Sequence, residues 1–185
     1  MDSSRPRRPD VHEVELVGGI EKRHLELETY DARWPNLYFD HQRRIEDALS
    51  ATEVEIEHVG STSVPGLAAK PIIDIVVAVA DITAEEDYLD ALLEAGYKLR
   101  VREPGHRLVR TPALDVHVHI LEKEDPAIRD YILLRDHLRT NTGDRALYER
   151  TKRDLLTQSW DNMNAYSEAK GPVIAAILAR ARRHR

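Results

Sequence analysis

Of the eight residues from Ile72 to Val79, seven are apolar, most of them β-branched, and the eighth is Asp74. Such a run forms a strand covered on both faces, because a half-solvated strand would alternate polar and apolar positions. The chain must therefore build layers on both sides of a sheet. A carboxylate within such a strand is costly unless it meets a metal ion, a base or several backbone donors. A structural aspartate paired with an arginine is the alternative.

The segment before it is the other half of the pattern. Glu53–Val59 alternates as a strand, with Val54, Ile56 and His58 on one face and Glu55, Glu57 and Val59 on the other. Residues 60–71 then hold glycines, prolines and hydroxyls, a loop in which Gly66–Lys70 can wind into a helical turn. A strand, a Gly60-Ser61 turn and an acid on the next strand make a phosphate-cradle layout. Glycine lets backbone approach a ligand, and the Ser61, Thr62 and Ser63 hydroxyls suit an anion. The same residues also serve ordinary tight turns.

Elsewhere the pattern is mixed. Residues 1–23 read as a basic tail or extension, with Val11–Val17 open between strand and helical turn, and 24–185 as a single domain. His24–Tyr30 alternates as a strand. Trp34-Pro35 opens a helix to about Ser50, with Leu37, Ile45 and Leu49 along one stripe. Thr83 and Glu86 form a capping box for a helix with Tyr88, Leu89, Leu92 and Leu93 inward, closed by Gly96. Tyr97–Val101, Arg107–Thr111 and Leu114–Leu121 read as an antiparallel meander, and from Pro126 two or three helices follow, broken at Asn141–Asp144 and Lys170–Pro172. The order predicts an α+β fold, a mixed sheet flanked by helices with a helical C-terminal segment.

Composition narrows the chemistry. No cysteine excludes disulfides, thiolate metal sites and a cysteine nucleophile, and fits a cytoplasmic protein. No apolar run is long enough to span a membrane, and the start lacks a hydrophobic signal core. The net charge of -6 argues against a long nucleic-acid partner. In Leu114–Ile120, Asp115, His117 and His119 alternate with Val116, Val118 and Ile120, so three potential metal ligands share one strand face. Imidazole and carboxylate donors suit zinc, manganese or iron better than magnesium alone. A solvated sheet face is the competing reading. Among the cations, Arg107 after Gly105-His106, and Lys70 before Pro71, are best placed to clamp a phosphate or carboxylate. Tyr131, Arg135 and Lys170 are further candidates, each also readable as a plain helix-surface or capping residue.

These residues together resemble the GrpB family. The resemblance rests on Tyr30-Asp31-x-x-Trp34-Pro35, on the continuous stretch Ile56–Ile75, on Gly96-Tyr97, Pro104-Gly105-His106-Arg107, His117-Val118-His119 and Lys170-Gly171, and runs from about Val14 to Ala179. It implies the nucleotidyltransferase superfamily with its polymerase-β-like fold; the family also occurs fused behind dephospho-coenzyme A kinase. The superfamily pattern is an apolar residue, Gly, then Gly or Ser, followed by a strand whose two acids flank one apolar residue. Those acids hold two divalent ions that bind a nucleoside triphosphate and activate the attacking hydroxyl. Val59-Gly60-Ser61 and Asp74-Ile75 match, but position 76 is valine. The resemblance then implies one metal with mixed donors, His117 or His119 replacing the missing acid.

Three functions follow as expectations. One is a metal-dependent enzyme (magnesium or manganese, with zinc as a further option) that moves a nucleotidyl group from a nucleoside triphosphate to a small-molecule or protein acceptor. Another is a single-metal hydrolase or ligase-type enzyme built on Asp74, His117 and His119. The last is a non-catalytic nucleotide-binding or partner-assisting module, favoured by Val76. Oligomeric state leaves no trace in the sequence.

Overall fold

In the computed structural model, which describes residues 7–20, 26–160 and 163–183, the apolar run around Asp74 is an internal strand of a six-stranded mixed sheet. The elements in chain order are β1 (Glu15–Leu16), α1 (Trp34–Ala48), β2 (Glu55–Val59), β3 (Ile73–Val79), α2 (Leu89–Glu94), β4 (Lys98–Glu103), β5 (His106–Arg110), β6 (Val116–Glu122), α3 (Pro126–Thr140), α4 (Thr142–Leu156), α5 (Met163–Ala169) and α6 (Gly171–Arg183). The strand order is β1-β4-β5-β6-β3-β2, with β3 and β6 parallel and the other pairs antiparallel. The expected α+β architecture and the antiparallel meander are both present.

Alternation along the strands divides the apolar side chains between two layers. Ile73, Ile75, Val77 and Val79 pack with Val116, Val118 and Ile120 against Trp34, Tyr38 and Ile45 of α1 and Leu89 and Leu92 of α2. On the opposite face Val59, Val76, Ala78 and Leu121 meet Ile128 of α3. Beyond them Leu138, Tyr148 and Ile177 close around Val64 and Leu67, so the C-terminal helices cover the loop that follows β2.

Several local expectations are corrected. His24–Tyr30 is not a strand in its described part: Glu28 makes one isolated bridge to Ala69, and residues 24 and 25 lie outside the described residues. The helical turn after β2 falls at Ser61–Ser63 rather than Gly66–Lys70. Thr83 does not cap a helix. Its hydroxyl and its backbone N–H both donate to Asp81 Oδ1, at 2.7 and 2.8 Å, a local turn that places Thr83 ahead of the helix start, and Glu86 pairs with Arg8. A 3-10 turn at Glu85–Asp87 intervenes and α2 starts at Leu89. Leu37 is 45% exposed, because Trp34 and Tyr38, one turn apart, take the inward stripe of α1. Leu93 is exposed also. Gly96, at φ +93°, ends α2 as expected. Among the described residues four helices, not two or three, follow β6.

Arg107 departs most from expectation. It pairs with Ile120 across β5 and β6, so it lies on the α1 and α2 side of the sheet and is only 1% exposed. Its guanidinium donates to Asp10 Oδ1 (2.6 Å), Glu85 Oε1 (2.6 Å) and the Glu103 carbonyl (2.7 Å). It clamps carboxylates, as its geometry favours, but they are the protein's own. Asp10 also accepts from the Gly105 N–H, and β1 pairs with β4, so residues ahead of position 24 contribute to the sheet and its ion pairs. Arg107→Leu leaves two carboxylates without their buried cation, and is expected to lower unfolding free energy by about 3–5 kcal/mol in urea titrations.

Candidate functional site

The parallel register of β3 and β6 sets Asp74 opposite His117 and Val76 opposite His119. Side chains in register share a face, so the three polar groups meet on the α3 side of the sheet. His117 Nδ1 and His119 Nε2 each lie 3.6 Å from Asp74 Oδ1. One ligand atom from each residue lies within 4.8 Å of the others, and all three side chains are part-buried. Burial pushes the Asp74 carboxyl up, but the His117 and His119 imidazoles outweigh it and hold Asp74 well below the usual carboxylate range. A carboxylate oxygen and two imidazole nitrogens within such a span are a donor set fit for a divalent transition ion.

The turn after β2 is built around this carboxylate. Gly60 has φ +70°, and a Cβ there would lie 2.4 Å from Asp74 Oδ2. Both the backbone angle and the close approach require glycine. Ser61 follows, and its Oγ accepts from Lys152 Nζ at 3.2 Å. Lys152, 2% exposed on α4, also donates to the Ala68 carbonyl and sits 4.9 Å from the Tyr148 ring centroid. Burial, then the nearby Lys170 charge, push its ammonium down to about 7. Lys170 is likewise lowered by burial, an effect the Asp74 charge opposes. Lys170 and Lys70 both stand over the Tyr166 ring, 5.0 and 3.9 Å from its centroid.

Two more candidates reach the same face. His106 Nε2 lies 3.1 Å from His119 Nδ1, and its Nδ1 lies 2.6 Å from Glu103 Oε1. Burial and the neighbouring His119 push His106 down. Tyr131 of α3 faces the His119 ring at 5.9 Å, and burial followed by the Asp74 charge raises its phenol.

Other candidates stand apart. Thr62 is buried, donating to the Ile72 carbonyl and meeting His58 Nε2, while the Ser63 hydroxyl donates to the Gly60 carbonyl. Of the three loop hydroxyls, those two serve the turn itself. His58 pairs with Ile75, on the face opposite Asp74, and stacks on Tyr38 at 4.7 Å; burial lowers it to about 4. Arg135 donates to Glu57 Oε2 and the His58 carbonyl, tying α3 to β2. Asp115 precedes β6, is exposed, and accepts from the Thr111 hydroxyl at 2.6 Å. It does not join the two histidines, because the chain turns there before pairing begins. Lys152 and Tyr148 were not singled out in the sequence. Their spacing of four along a helix is the one available signal, and solvent-facing pairs share it.

The family model described as GrpB protein matches residues 24–180. A UPF0157 protein of Streptomyces coelicolor is 64% identical over 97% of this chain and 96% of its own length. One from Halalkalibacterium halodurans is 39% identical over 97% and 94%. Among solved structures, the conserved protein GrpB from Enterococcus faecalis superposes with a TM-score of 0.71 at 25% identity, covering 84% of this chain and 98% of that one.

Gly60→Ala is expected to lower unfolding free energy by about 1–3 kcal/mol, from left-handed strain alone and before any displacement of Asp74. For Lys152, the folded form holds fewer protons than the unfolded chain between its lowered value near 7 and the ordinary lysine value of 10.5. Stability from this residue therefore rises with pH through that window. Wild type should gain on Lys152→Met as urea unfolding is moved from pH 7 to pH 9.5; a constant difference would rule out the lowered ammonium.

Proposed function

From the premise that this chain belongs to the GrpB family, we propose that it is a divalent-metal-dependent transferase that moves a nucleotidyl group from a nucleoside triphosphate to a small-molecule or protein acceptor. The observation that carries this reading is the convergence of Asp74, His117 and His119 within 4.8 Å beside a glycine turn that admits no side chain. Asp74, His117 and His119 would hold the ion, which supplies positive charge against phosphate oxygens. Ser61 offers the loop hydroxyl beside it, held by Lys152. Lys70 and Lys170, both over the Tyr166 ring, stand on the same side to bind and orient a phosphate chain. The -6 net charge favours a compact acceptor over a long nucleic acid.

A second reading, a one-metal hydrolase or ligase-type enzyme at the same residues, draws on Val76. That position is 1% exposed beneath Ile128, so the place of a second acid is apolar core. Product analysis with each nucleoside triphosphate, and with magnesium, manganese or zinc, separates the two. The transferase predicts pyrophosphate together with an acceptor that carries the nucleotidyl group, whereas a hydrolase passes that group to water and leaves the acceptor unlabelled. Asp74→Asn should cut turnover at least about 100-fold with little change in melting temperature, since the ion's charge is met there. Full activity in that variant would remove Asp74 from the reaction.

A further inference from the structure

Behind His119 stands a pair of polar groups that the proposed transfer does not use. Glu103 and His106 face one another across the β4–β5 turn, and β5 lies antiparallel to β6. The His106 and His119 rings lie side by side and nearly coplanar, centroids 5.3 Å apart and planes 16° from parallel. Three contacts run in a line: Glu103 Oε1 to His106 Nδ1 at 2.6 Å, His106 Nε2 to His119 Nδ1 at 3.1 Å, and His119 Nε2 to Asp74 Oδ1 at 3.6 Å.

We propose that Glu103 and His106 are positioning residues that lock His119 in the one tautomer able to bind a cation through Nε2. This rests on the reading of Asp74, His117 and His119 as an ion site. An ionised carboxylate only accepts, so the ring hydrogen of His106 sits on Nδ1. A neutral imidazole has a single N–H, which leaves His106 Nε2 as a lone pair. His119 Nδ1 must then donate into it, so the one nitrogen at which His119 can exchange a proton for an ion is Nε2, on the Asp74 side. In the opposite tautomer His119 would present a hydrogen to Asp74 and occupy the carboxylate that the ion needs. The in-plane contact also holds the ring orientation, as partners behind metal-binding histidines generally do.

The test is the affinity of the full chain for Zn²⁺ alone, by competition with a chromophoric chelator. Glu103 is 36% exposed at its side chain, so its substitutions leave the core intact. Glu103→Leu, which removes the acceptor, and His106→Phe, which keeps an aromatic ring but no lone pair, should each weaken Zn²⁺ binding about 10- to 100-fold. Glu103→Gln keeps an acceptor oxygen and should stay within about threefold of wild type. Melting temperatures of the metal-free proteins should be unchanged. Wild-type affinity in Glu103→Leu and His106→Phe, with binding still abolished by Asp74→Ala, overturns the lock and leaves the ion site standing. A loss in Glu103→Gln as large as that in Glu103→Leu overturns the acceptor role. A wild type that binds no Zn²⁺ overturns the ion site, and the lock with it.

Discussion

Parallel pairing of β3 with β6 places Asp74 beside His117 and Val76 beside His119, and the remaining features of the site depend on that register. Slippage by one residue would turn His117 and His119 into the layer under α1 and α2 and bring Val116 and Val118 out. The apolar residues between the histidines prevent this. Val116, Val118 and Ile120 are all at most 2% exposed, so the same strand that carries the two histidines is anchored by its other face. Core packing thus decides which face of the sheet the two histidines occupy.

The two faces of the sheet keep two charge systems apart. On the α1 and α2 side, Arg107 is neutralised by Asp10 and Glu85, a closed network that stabilises the meander against the segment before β1. On the α3 side, Asp74 lies beside the His117 and His119 imidazoles, groups that can exchange a proton for a metal ion. Strand alternation makes the division: Arg107 and His106 are adjacent in sequence, yet one supports the fold and the other backs the site.

The C-terminal helices complete what the sheet begins. α3 brings Tyr131 against His119, α4 brings Lys152 over the turn after β2, and Lys170 approaches from the junction of α5 and α6. The buried ammonium of Lys152 is held by the Ser61 hydroxyl and the Ala68 carbonyl, so the loop is clamped from a segment more than eighty residues away. Helical periodicity gives no hint of such a contact. Lys152 and Arg153 are neighbours, and only packing decides which enters the core.

The sequence alone determined the layered sheet, the glycine turn and the pairing of His117 with His119 on one strand face. Those follow from local rules: apolar runs need cover, φ above zero needs glycine, and strand residues alternate. It also pointed to Asp74 as the carboxylate in need of partners. It misjudged Asp115, Arg107, Thr62, Ser63 and the Thr83 cap, each of which found a nearer partner that side-chain type does not reveal. Only the tertiary structure decided that β6 lies parallel to β3 rather than elsewhere in the sheet, that Lys152 is inside, and that Glu103 and His106 stand behind His119. These are contacts between segments far apart along the chain, and their selection is made by packing of the whole domain, which no local pattern encodes.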